Sequence, residues 1–304
     1  MQKYPFFTAD VFTDRAFGGN PLAVLPDARG LDTGQMQAIT REFNFSETVF
    51  VLPSDSPEHT RRLRIFTPGK ELPFAGHPTV GTGFVLAMCG EIPLTGEVTR
   101  VIFEEGVGPV PVTIRASDGK PVFSQLTAAR LPEAGPTPPP AGGIAAAFGL
   151  EAADLLGGDY GPQAFSCGVP FLFVPVQNRA VLEKIRLDRY KYDFVLGQYW
   201  AKEVFFFSFD PERPGSDLRA RMFAPALGVA EDPATGSAAA SLAGYLGARD
   251  TTATGTLHKI IEQGFEMGRP SILELELDKT GGAISEVRVG GASVLVTEGT
   301  MTMP

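Results

Sequence analysis

Two stretches of this 304-residue chain, "TVGTGFVLAMCG" (79–90) and "ATGSAAASLAGYLG" (234–247), have the length of helices and carry no charge. A helix that is apolar on every side belongs in a core. Each stretch follows an ionisable residue and a proline, His77–Pro78 and Asp232–Pro233. The chain thus writes [His/Asp]-Pro-x-x-Gly-[Thr/Ser] twice. Each copy is expected to open a buried helix wrapped by a curved sheet.

The duplication reaches further. "RIFTP" (64–68) matches "RMFAP" (221–225), and "GHPTVGT" (76–82) matches "EDPATGS" (231–237). More loosely, "FSETVFVLP" (45–53) matches "FSCGVPFLFVP" (165–175). Self-similarity over this distance predicts two copies of one α+β domain, packed about a pseudo-two-fold axis with a cleft between them. "LPEAGPTPPPAGG" (131–143), rich in Pro and Gly, reads as the linker. The expected domains are 1–130, completed by a C-terminal strand at about 288–304, and 131–287. Helices are expected after an Asp32 N-cap and over 78–89, 143–156 and 179–187. "RRLR" (61–64) reads as a solvated strand edge.

Charge narrows the function classes. The net charge is −9, which argues against a nucleic-acid or anionic-membrane surface. No uninterrupted apolar run is long enough to span a bilayer, and the first residues lack a signal-peptide core. Cys89 and Cys167 have no metal or CxxC spacing and read as reduced thiols of a cytoplasmic protein. No dinucleotide fingerprint, Walker loop or metal-ligand cluster is present, so no cofactor and no metal are expected.

The two helix mouths are the candidate functional elements. Asp232 before Pro233 reads as an N-cap. His77 caps poorly, which hints at another job. Gly81, Thr82, Gly236 and Ser237 would leave the first turns bare, and bare amides with the helix dipole attract a carboxylate. The plainer reading is a simple cap with close helix–sheet packing. The duplication, with a different ionisable group in each copy, favours function.

In "NFSETVFVL", Phe45, Glu47, Val49 and Val51 share one strand face. There the Glu47 carboxyl would be desolvated and its pKa raised toward the range of proton transfer. Because Ser46, Thr48 and Phe50 are a mixed set, an exposed Glu47 fits the pattern equally well. His59 and His258 read as solvated and Cys89 as core. Cys167 could line the cleft, but it has no adjacent base.

"DVFTDRAFGGNPLAVL", "FNFSETVFVL", "RIFTPGKELPFAGHPTVGTG", "CGVPFLFVPV", "RMFAPALGVAEDPATGSAAASLAGYL" and "EQGFEMGRPS" together resemble the PhzF-like family of phenazine biosynthesis, nearly end to end. The resemblance implies two diaminopimelate-epimerase-like domains, each a curved mixed sheet around a central helix, with the active site between them, and a homodimer. It implies that Glu47 shuttles a proton while His77 and Asp232 position and polarise the substrate. It also implies that Ser46, Gly76, Gly236 and Ser237 bind the substrate carboxylate and nearby polar groups. The implied reaction is a cofactor-free isomerisation of the trans-2,3-dihydro-3-hydroxyanthranilate type. Relatives with the same fold, the diaminopimelate epimerases and proline racemases, use two facing thiols. Here the mouths read "AGHP" and "EDPA", so a two-thiol racemase is disfavoured. An isomerase of another amino-acid-like metabolite and a non-catalytic binder on the same scaffold are the competing readings.

Overall fold

A computed structural model describes residues 2–303. Two compact units are present, one running through Ala129 and resumed from Arg288, the other spanning Arg130–Val287. The first unit begins with β1 (Gln2–Val11), β2 (Asn20–Leu25), α1 (Thr33–Phe43), β3 (Glu47–Leu52), β4 (Arg61–Phe66) and β5 (Glu71–Leu72). It continues with α2 (Gly76–Met88), β6 (Val98–Glu105), β7 (Gly108–Ser117) and β8 (Lys120–Thr127). The second unit has β9 (Glu133–Ala134), α3 (Ala141–Ala147), β10 (Gln163–Ser166), β11 (Pro170–Pro175), α4 (Arg179–Lys184), α5 (Arg189–Leu196) and β12 (Glu203–Ser208). Then come β13 (Leu218–Ala224), β14 (Val229–Asp232), α6 (Gly236–Gly247), β15 (Gly255–Gln263), β16 (Ser271–Thr280) and β17 (Ala283–Gly291). The end of β17, from Arg288, pairs with β8, and β18 (Ser293–Met303) pairs along β1, so that end and β18 complete the first unit.

The two units share one order of pairings. In the first, β1 is antiparallel to β2, β2 parallel to β3, β3 antiparallel to β4, and β4 parallel to β6. In the second, β10 is antiparallel to β11, β11 parallel to β12, β12 antiparallel to β13, and β13 parallel to β15. Even the register agrees, since Arg62 faces Glu104 where Arg219 faces Glu262.

Each sheet has a helix on both sides. Asp32 caps α1 with a full capping box, and Met36 and Ile39 of α1 pack with Phe50 and Phe66 on the outer face. The inner face wraps α2, whose residues from Gly76 to Ala87 are all buried. Both faces of β3 are therefore covered, and its interior residues Thr48–Val51 are all buried. In the second unit Phe206 packs on Phe148 of the outer layer, while Phe207 packs on Tyr245 of α6. Each such side chain contributes on the order of 1.5–3 kcal/mol on burial.

Several sequence expectations change. The 143–156 helix stops at Ala147, because Gly149 turns the chain at φ +69. The 179–187 helix is α4, and α5 follows as a separate helix. The proline-rich 131–143 stretch is anchored, with β9 paired to β10 and Trp200 against Gly135. "RRLR" is not an edge, because β4 is paired on both sides. The loose match of 45–53 with 165–175 is also wrong. By topology β3 corresponds to β12, and Glu47 corresponds to Glu203: Leu22 faces Glu47 as Phe171 faces Glu203. Apolar content misled here, because β11 is as hydrophobic as β12.

Gly81 lies mid-helix in α2, where a Cβ would stand 2.5 Å from Val11 Cγ2 and 2.6 Å from Leu22 Cδ2. Gly81→Ala should destabilise the protein by about 1–3 kcal/mol through overpacking, read as a lower denaturant midpoint with unchanged slope.

Candidate functional site

The helix mouth of the first unit is built without a side-chain cap. Ala75 takes the N-cap in extended conformation, so α2 begins at Gly76 and His77 sits in its first turn. Because the ring is buried, its partners decide its state. Asn20 Nδ2 lies 3.3 Å from His77 Nδ1, and the Pro21 backbone hydrogen-bonds to the ring. Both residues open β2, beside Leu22, whose partner across the sheet is Glu47. Glu47 Oε2 lies 3.5 Å from His77 Nε2. Glu47 thus shares its β3 face with Val49 and Val51 and looks toward α2, resolving the ambiguity left by its sequence pattern.

That spacing is within ion-pair range, but burial acts against it. Desolvation drives the His77 pKa down to about 3, with the Pro21 hydrogen bond a smaller opposing influence. The ring is therefore neutral at physiological pH, and the contact joins a carboxyl to an imidazole rather than to an imidazolium. Gly76 is buried at the first helical position, and Ser46 is half-buried in the bend leading into β3.

The mouth of the second unit is built differently. Asp232 ends β14 and does not cap α6, whose N-cap is Thr235. The reason lies in the loop, where the Thr235 hydroxyl donates to Asp232 Oδ2 at 2.5 Å. Gln263 grips the same loop, donating through Nε2 to the Asp232 carbonyl at 2.8 Å and to Thr235 Oγ1 at 3.0 Å. Its Oε1 accepts from the Thr235 amide at 3.1 Å. Gly236 and Ser237 are the first residues of α6, and their amides have no acceptor within the helix. Gly81 and Thr82, expected in a first turn, lie one turn inside α2.

Asn20, Thr79, Glu105 and Gln263 escaped the sequence reading. The last two end corresponding strands, β6 and β15, and only strand register brings them to a helix mouth. His258 is exposed as expected, 3.4 Å from Glu274 Oε2. His59 is less solvated than expected, with Nδ1 3.3 Å from Glu104 Oε2. Cys167 is buried, which pushes its thiol up to about 12, and its amide donates to Ser241 Oγ. Cys89, half-buried, ends α2. Among the described residues no group of three or more His, Cys, Asp or Glu could hold a metal ion, and no helix is long and apolar enough to cross a membrane.

The profile of the phenazine biosynthesis-like protein family matches residues 9–299. The chain belongs to the PhzF family. It is 42% identical to an uncharacterized isomerase of Mesorhizobium japonicum, over 98% of this chain and 99% of that one. It is 33% identical to the trans-2,3-dihydro-3-hydroxyanthranilate isomerase of Pseudomonas aeruginosa, over 98% and 99%. The crystal structure of a PhzF-family phenazine biosynthesis protein from Bacillus anthracis superposes with a TM-score of 0.88 at 26% identity, covering both chains completely. A probable proline racemase of Agrobacterium radiobacter shares the fold alone, with a TM-score of 0.65 at 13% identity over 99% and 93% of the two chains. The chain is thus an isomerase of the PhzF family, and its fold is the α+β diaminopimelate-epimerase-like arrangement of two similar domains, each a curved mixed sheet around a helix.

The depressed His77 pKa has a consequence for stability. An unfolded histidine takes up a proton near pH 6.5, whereas the buried ring resists until about 3. The stabilising contribution of the neutral ring is complete above the unfolded value and is lost as pH falls through this window, at about 1.4 kcal/mol per pH unit. The His77 ring nitrogens should therefore show no protonation by NMR at pH 5, and His77→Gln should flatten the acid limb of the stability profile.

Proposed function

We propose that this PhzF-family chain is a cofactor-independent isomerase that moves a proton between carbons of a small carboxylated substrate, with Glu47 as the acid–base group. The observation that carries this reading is the Glu47–His77 contact, a carboxyl set against a neutral imidazole at the mouth of a buried helix. An ionised Glu47 can take a proton from a carbon next to a conjugated system. Once protonated, it can return that proton to a carbon further along, and the enol product relaxes to a ketone. A positioned acid–base group contributes about 10²–10⁴-fold to such steps.

His77, neutral and held by Asn20 and Pro21, is assigned to orient Glu47 and to polarise the substrate. Asp232, fixed by Thr235, is assigned a polar group of the substrate. The first-turn amides of Gly236 and Ser237, together with Gly76 and Ser46, are assigned its carboxylate and the charge that develops during the reaction. The 33% identity to an isomerase of trans-2,3-dihydro-3-hydroxyanthranilate supports a substrate of that class. The relative at 42% identity is named only as an isomerase, and it supports a second reading: the same chemistry on another amino-acid-like metabolite.

Turnover of trans-2,3-dihydro-3-hydroxyanthranilate, and exchange of its carbon-bound hydrogen with deuterated water, test the assignment. Glu47→Gln should cut both by about 10²–10⁴-fold while circular dichroism stays unchanged. Equal rates in wild type and variant would remove Glu47 from the chemistry.

A further inference from the structure

Thr79, two residues beyond His77, poses a hydrogen-counting problem. Its Oγ1 lies 2.8 Å from the Ala75 carbonyl oxygen and 2.7 Å from Glu105 Oε1. A hydroxyl carries one hydrogen, a carbonyl oxygen only accepts, and an ionised carboxylate only accepts. With Glu105 ionised, three oxygens would share a single hydrogen. With Glu105 protonated, the count closes: the acid donates to Thr79 Oγ1, and Thr79 donates to Ala75. The other carboxyl oxygen, Oε2, is buried with no hydrogen-bond partner among the described residues. An ionised oxygen placed there would lose its hydration without replacement.

The second unit contains the same device with its hydrogens unambiguous. Glu105 follows Glu104 on β6 as Gln263 follows Glu262 on β15, at matching register. Gln263 Nε2, an obligate donor, reaches Thr235 Oγ1, and Thr235 passes its hydrogen to Asp232. We propose that Glu105 and Gln263 are matched positioning residues, each donating a hydrogen to the threonine at its helix mouth, and that Glu105 does so as a neutral carboxylic acid imitating an amide. Through Thr79, Glu105 fixes Ala75 and the uncapped turn that carries His77. Through Thr235, Gln263 fixes the carboxyl of Asp232. The functional half of this inference rests on the assignment of His77 and Asp232 to the site.

The surroundings suit a neutral acid. Burial pushes the Glu105 pKa up to about 8, partly offset by Thr79. On β4, Arg62 and Arg64 point to the opposite face and pair with Asp55 and Glu71. Glu104 is engaged by Ser54, His59 and the Asp55 amide, and Arg115 of β7 lies over Phe123. On α2 the titratable neighbour in the first turn is the neutral His77.

The sign of the pH effect follows. The folded pKa is raised above the ordinary 4.5, so the stability contribution of this group is complete below the unfolded value and is lost as pH rises toward 8. Glu105→Gln lacks that loss. Thermal unfolding of full-length wild type, Glu105→Gln and Gln263→Glu from pH 5 to 9 tests this without any substrate. Glu105→Gln should unfold at least about 3 °C higher than wild type at pH 7.5, with the gap closing toward pH 5. Gln263→Glu should acquire an alkaline sensitivity of its own. In Glu105→Ala the His77 ring resonances should shift, and Glu105→Gln should restore them. A gap independent of pH, or His77 resonances unmoved in a folded Glu105→Ala protein, would overturn the proposal. Absence of isomerase activity in every variant would count against the functional assignment and leave these readouts standing.

Discussion

A helix without a polar face must be enclosed, and this requirement organises each unit. In α2 and α6 nearly every residue is buried, so the strands curve around them and all polar traffic is forced to the helix ends. The N-terminal end is the useful one, because its amides are unpaired and its dipole is positive. Ionisable residues placed there are desolvated by the same packing that encloses the helix. The site chemistry is thus a by-product of solving a burial problem.

The two solutions have the same topology and different protonation. One mouth holds a neutral imidazole against a carboxyl, and the other holds an aspartate fixed by a hydroxyl and an amide. Glu47 has a counterpart in the buried Glu203, and Glu105 has one in Gln263. The two units thus repeat one frame, and a few positions inside it carry different ionisable and polar groups. Deep burial keeps the His77 ring neutral beside the Glu47 carboxyl.

Much of this was legible in the amino-acid order. The two uncharged helices fixed the buried elements, "RIFTP" and "RMFAP" marked corresponding strands, and Glu47 and His77 do meet. What could not be read depended on register or on competition for hydrogen bonds. Asp232 looks like an N-cap beside Pro233, yet Thr235 takes its oxygen and the helix starts four residues later. Alternation could not orient Glu47, because helices cover both faces of its strand. Thr79, Glu105 and Gln263 carry no local signature, since their partners come from a distant strand.

The central claim is that a single carboxyl, Glu47, carries hydrogen from one carbon of the substrate to another. The most direct measurement uses trans-2,3-dihydro-3-hydroxyanthranilate deuterated at the ring carbon that gives up its hydrogen, converted in ordinary water with enzyme in excess. A shuttle predicts product molecules that retain deuterium at the carbon receiving the proton, in a fraction that rises as solvent exchange of the carboxyl is slowed. Product formed at full rate with only solvent hydrogen at that carbon, under every condition, would contradict it.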